Sequence, residues 1–113
     1  MLDIKMIRGT TMSLDIGLTD ADGAAYTMGA NDKLIFGVKS NPQNTAYDLK
    51  KVLTSSDAQT DGSYKLSLTP SDTIDLPIGR YYYDVGLQSG SDYYTVIECS
   101  VFDLLTNITK KEA

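Results

Sequence analysis

An all-β sandwich of about seven antiparallel strands with one short helical turn is the fold this sequence predicts. Three observations predict it. Apolar residues recur at every second position in four separate runs, Gly- and Asp-rich turn signals separate those runs at short intervals, and no long segment repeats at helical spacing. At 113 residues the chain fits one domain, and a chain of that length buries about two-thirds of its unfolded surface, enough for a self-sufficient core.

Each element follows from its own pattern. Leu2, Ile4 and Met6 fall on one face of a short first strand. Met12, Leu14, Ile16 and Leu18 then alternate with Ser13, Asp15, Gly17 and Thr19, the period of a half-buried strand. Leu34, Phe36 and Val38 give the next strand, and Tyr64, Leu66 and Leu68 a later one. Between them Tyr47 and Leu49 keep the period while Val52 and Leu53 break it, which predicts a bulge or a strand end near Lys50. Asp22-Gly23, Asp61-Gly62 and the stretch QSGSD supply turns that tolerate positive φ or form Asx turns. In LTPSDTIDLP, Thr69 caps a helical turn, Pro70 takes its first position, Asp72 sits at the positive end of its dipole and Pro77 ends it.

The run GRYYYDVGLQSGSDYYTVIECS predicts a hairpin of residues 80–87 and 93–101 closed by 88–92. In that register Leu87 faces Tyr93, Val85 faces Thr95, Tyr83 faces Ile97 and Tyr81 faces Cys99, all inward. Tyr82 opposite Glu98, Asp84 opposite Val96, and Gly86 covered by Tyr94 then point outward. The expected core includes Leu14, Ile16, Phe36, Leu66, Tyr83, Val85 and Ile97. Tyr81 or Tyr83, directly after a Gly turn, fits the tyrosine corner of immunoglobulin-like sandwiches. Outside, Tyr82, Tyr94 and Val96 form a candidate contact surface with Asp84 and Glu98 at its polar rim; the competing reading is an ordinary solvated sheet face. Residues 1–102 make up the sandwich, and 103–113, with Leu104, Leu105 and Ile108 before a charged end, form a C-terminal tail or a last short strand.

Composition narrows the function. No histidine is present, which removes Ser-His-Asp and Cys-His catalysis and most zinc sites. Cys99, the single cysteine, reads as a small buried hydrophobe and cannot close an intrachain disulfide. The acidic residues Asp20, Asp22, Asp61 and Asp92 are accounted for by turns, and the DADG stretch lacks the remaining ligands of a calcium loop. With no assignable nucleophile, base and orienting group, the expectation is a protein that is not an enzyme and holds no cofactor or metal. A net charge of −5 with scattered basic residues argues against nucleic acid. The first twenty or so residues carry charges through their apolar positions, so neither a signal peptide nor a membrane span is expected.

Taken in order, IKMIRGTTMSLDIGLTDADGAAYTMGANDKLIFGVKS, YKLSLTPSDTIDLPIGRYYYDVGLQ and YYTVIECSVFDLLTNIT resemble the immunoglobulin-like domain at the N-terminus of phage baseplate upper proteins and of related small prophage tail proteins. Arg8-Gly9, the Asp20-to-Gly23 turn, Leu68-Thr69-Pro70 with Asp72, Leu76-Pro77 with Gly79, and the Tyr-rich strand carry the resemblance; Thr10 departs from it, standing where an acidic residue is frequent. What it implies is a non-enzymatic structural protein of a tail or baseplate, made in the bacterial cytoplasm, located in the virion, and docked to other tail proteins or to copies of itself. An immunoglobulin-like carbohydrate-binding or adhesive module, with Tyr82 and Tyr94 as a stacking platform, is the alternative; the absence of Trp counts against it.

Overall fold

The computed structural model describes residues 3–20, 22–109 and 112. Leu2, part of the expected first strand, and Lys110, Lys111 and Ala113 of the expected tail lie outside them, as does Ala21 in the turn at 20–23. The organising strand is β6 (Gly79–Ser89), which pairs antiparallel with β3 (Asp32–Lys39) on one side and β7 (Asp92–Leu105) on the other. β4 (Leu49–Leu53) extends this sheet beyond β3, and β1 (Ile4–Ile7) extends it beyond β7. The second layer is the antiparallel pair of β2 (Met12–Ile16) and β5 (Tyr64–Leu68). β3, β6 and β7 stand where strands C, F and G stand in an immunoglobulin-like sandwich, and β2 and β5 where B and E stand. One pairing departs from the expected antiparallel pattern: β1 runs parallel to β7, from Ile4 opposite Phe102 to Ile7 opposite Leu105. These are the first and last strands, so no short connection forces them antiparallel.

Alternation along β6 sends Tyr81, Tyr83, Val85 and Leu87 inward, and all are buried. They meet Leu34, Phe36 and Val38 of β3, Phe102 and Leu104 of β7, and Tyr64, Leu66 and Leu68 of the opposing layer. The rings of Phe36 and Tyr83 lie 5.5 Å apart, and Phe102 meets Tyr81 edge-on at 6.5 Å, the geometry that aligns aromatic quadrupoles favourably. Of the expected core, Leu14 and Ile97 are half-buried and pack against it; the rest are buried. Tyr81 is the corner residue, its phenol donating to the Pro77 carbonyl at 2.6 Å.

The hairpin register differs from the expected one. The loop is only Gly90-Ser91, since Ser89 pairs with Asp92, and Gly90 has φ +60° as the first central residue of a type II′ turn requires. β7 also carries two bulges: Val96 is extra between the pairs Gly86–Thr95 and Val85–Ile97, and Asp84 faces both Glu98 and Cys99 between Val85–Ile97 and Tyr83–Ser100. The inward set of β7 is therefore displaced. Tyr93, Thr95 and Cys99 are exposed, while Ser100 lies opposite Tyr83 and Phe102 opposite Tyr81. β7 continues unbroken through Leu105, so Asp103, Leu104 and Leu105 belong to the sandwich instead of a tail or a separate strand.

No bulge interrupts β4; the strand end expected near Lys50 is its start at Leu49, and the strand pairs in register from Leu49–Val38 to Leu53–Leu34. Its inward positions are Leu49, Lys51 and Leu53, and the polar Lys51 hid the period; at this edge its ammonium reaches Asp72 at 2.9 Å. A second capped turn, a 3-10 turn at Ser55–Asp57, was not anticipated. Its sequence Leu-Thr-Ser-Ser-Asp echoes the Leu-Thr-Pro-Ser-Asp that opens the expected helix α1 (Pro70–Thr73), and the two close alike: Thr54 donates its N–H to Asp57 at 2.8 Å, Thr69 to Asp72 at 2.7 Å.

The resulting prediction concerns neighbours in one tyrosine run. Tyr83→Ala should lose about 3–5 kcal/mol, whereas Tyr82→Ala should lose about 1 kcal/mol or less. Urea midpoints of the two variants, at unchanged slope, measure this difference; equal losses would contradict the inward and outward assignment.

Candidate protein-docking face

The even residues of β6 point away from the core, and the face they build contains two glycines. Gly37 of β3 lies opposite Asp84, and Gly86 lies opposite Ile35. A missing side chain on a pleated face leaves a trough, and each trough is roofed by a tyrosine. A Cβ on Gly37 would stand 2.5 Å from Tyr47 Cε1, and one on Gly86 would overlap the phenol of Tyr93. Both rings remain open to solvent, Tyr47 at 47% and Tyr93 at 57%. Together with Tyr82 they line a shallow cleft of about 180 Å³ shared with Gly37, Lys39, Pro42, Asp84 and Cys99.

Cations already use one of these rings. The Lys39 ammonium sits 4.9 Å from the Tyr47 centroid and that of Lys50 at 5.4 Å, within the range of cation–π attraction. Lys39 is further held by donation to the Asn44 carbonyl at 2.7 Å. The Tyr93 phenol has its pKa raised, first because partial burial disfavours the phenolate and next through the nearby Asp84 charge. It therefore remains a neutral hydrogen-bond donor throughout the physiological range.

Only part of the expected contact patch assembles here. Tyr82 and Asp84 share the cleft, and Glu98 sits exposed in the bulge facing Asp84. Tyr94 and Val96 lie on the opposite side of the sheet, lining a larger opening of about 630 Å³ with Leu18, Tyr26 and Leu87. The two-residue turn and the first bulge put them there, so Tyr82 and Tyr94 cannot form one stacking platform, and Tyr93 covers Gly86 in place of Tyr94. Tyr47 and Tyr93 are the members that sequence reasoning missed. The available signal was an isolated glycine inside each of two strand patterns.

At the inner opening, Asp32 is buried and accepts from the Tyr26 phenol at 2.6 Å and the Gly29 N–H at 3.0 Å. Its pKa is lowered chiefly by Tyr26, then by the Ser89 hydroxyl and Gly29. These bonds tie the segment before β3 to the end of β6.

No three or more Cys, Asp or Glu side chains are grouped to hold a metal ion among the described residues, and no helix among them is long and apolar enough to cross a membrane. No family model matches this chain, and no curated protein matches it.

Two outcomes follow from this geometry. Gly86→Ala should cost about 1–3 kcal/mol by forcing the Tyr93 ring aside, and most of that cost should vanish in a Tyr93→Ala background. Denaturation of the four members of that cycle measures the coupling. Separately, because the folded pKa of Asp32 is depressed, its stabilisation is complete above the unfolded carboxylate value near 4 and is lost as pH falls through the lower folded value. Asp32→Asn should therefore be less stable than wild type at pH 7, with the gap narrowing below about pH 4 in urea midpoints measured across that range.

Proposed function

We propose that this chain is a non-enzymatic docking domain that works by protein–protein contact within a larger assembly. The observation that carries the reading is the gathering of Tyr47 and Tyr93, each over a glycine trough, with Tyr82 around one cleft of the outer face. Exposed tyrosines set on a rigid sheet give large contact area with little side-chain ordering, and protein interfaces concentrate them at their centres. Sheet hydrogen bonding on both sides of β6 fixes Tyr82 and Tyr93 before any partner arrives, and Tyr47 is seated over Gly37 from the loop before β4. The resemblance in the turn and cap motifs supports a phage or prophage tail or baseplate as the assembly, with other tail proteins or further copies of the chain as partners, and the virion as its location. The sequence offers no histidine and no assembled nucleophile and base, which favours a structural role over catalysis.

Light scattering tests this reading on the wild-type protein alone and mixed with the products of its neighbouring genes. Tyr82→Ala with Tyr93→Ala should reduce the assembled fraction at least about tenfold while leaving the β-type circular dichroism intact, as hot-spot truncations do. Tyr94→Ala, on the opposite side of the sheet, should leave assembly unchanged. Unaltered assembly by the folded double variant would remove the outer face from the docking surface.

A further inference from the structure

Asp84 sits in the cleft between Tyr82 and Tyr93, and its carboxylate forms no hydrogen bond or ion pair with another described residue. Of the other charged groups around the cleft, the exposed Glu98 faces Asp84 and adds a second negative charge, while the ammonium groups of Lys39 and Lys50 are drawn to the Tyr47 ring and that of Lys39 donates to the Asn44 carbonyl. An anion flanked by aromatic faces is the combination that attracts an organic cation, the rings through their quadrupoles and the carboxylate through charge.

We propose that the outer cleft captures a basic side chain, an arginine in preference to a lysine, presented by the partner protein. This rests on the docking reading above and specifies what the face recognises. Charge complementarity selects the occupant: Asp84 and the facing Glu98 make the end of the cleft beside Tyr82 and Tyr93 negative, the lysine charges are drawn to the Tyr47 ring, and the chain as a whole carries −5. Its volume of about 180 Å³ suits one long side chain better than a folded ligand, since small-molecule pockets usually run to about 300 Å³ or more. Arginine is preferred because its planar guanidinium stacks on a tyrosine face while its fork of donors meets one carboxylate with two bonds; an ammonium does only one of these well. The Tyr93 phenol, held neutral, adds a hydrogen-bonding group at the same opening.

Amide NMR titration of the intact chain with N-acetyl-arginine amide tests the proposal, with the lysine amide and the neutral citrulline amide as comparisons. Saturable shifts at Tyr82, Asp84 and Tyr93 with arginine, weaker ones with lysine and none with citrulline are expected. Asp84→Asn should weaken arginine binding by about fivefold, the scale of an exposed charge pair, with Tyr93→Phe nearer wild type because the ring remains. Asp84 is exposed, so the dispersion of the same spectra verifies that the variant is folded. Citrulline shifts equal to those of arginine, an Asp84→Asn variant that binds unchanged, or no saturation with arginine would each overturn the proposal. If the Tyr82/Tyr93 variant still loses assembly under any of those results, docking stands and only cation capture falls.

Discussion

The pleat of β6 is the constraint on which the remainder depends. Hydrogen-bonded on both sides by β3 and β7, this strand cannot rotate its residues, so the parity of each position decides which layer it serves. Odd positions build the aromatic core around Phe36 and Phe102, and even positions build the face toward solvent. Tyr81, Tyr82 and Tyr83 are chemically identical neighbours with three different duties: a corner hydrogen bond, a cleft wall and a core ring.

A second tie holds together the segment after β1, the end of β7 and the helical turn. Gly9, at φ +78°, donates its N–H to the fully buried hydroxyl of Thr73 at 2.8 Å, and a Cβ there would run into Ile74. Arg8 beside it donates from its backbone to Leu105 and from its guanidinium to Asn107 and the Leu76 carbonyl. This one junction gathers Arg8-Gly9, the capped turn after Leu68 and the Leu76-Pro77 segment. Their order in the sequence is therefore a requirement of the fold, and patterns of that kind carry fold information more readily than they carry a partner's identity.

How much was legible follows from how local each cause is. The parity of β6, the cap at Thr69 and the alternation of β2, β3 and β5 are short-range effects, and the residues display them directly. The Gly90-Ser91 turn was equally local, being one of the two-residue hairpin signatures, but the neighbouring Ser89 and Asp92 disguised it as part of a longer loop. The bulges in β7 are not local, because an extra residue shows only against the strand it fails to match. That is why Cys99 was expected inside; Tyr94 was expected outside, and Tyr93 overlooked, because the misread turn shifts the pairing by one residue before either bulge is reached. Lys51 obscured β4 for another reason: an inward charge at a sheet edge breaks the hydrophobic alternation while obeying the geometric one.

The sheet edges bear on the proposal that contact runs through the face. An open edge offers unpaired backbone groups to any passing strand, and proteins blunt edges with lysines, inward charges and bulges. β4 ends the sheet with Lys50 and the inward Lys51. On the other side β1 pairs with β7 only from Phe102 to Leu105, and the stretch it leaves uncovered holds both bulges. Both edges of the five-stranded sheet are thus obstructed, while its outer face stays rigid and aromatic. Glycine inside a strand costs about 0.5–1 kcal/mol relative to a residue with a side chain. A face with no task beyond solvation would gain from threonine or valine at positions 37 and 86. Glycine at both, each roofed by a half-exposed tyrosine, gives up that stability for a flat aromatic surface, which fits the docking role proposed above.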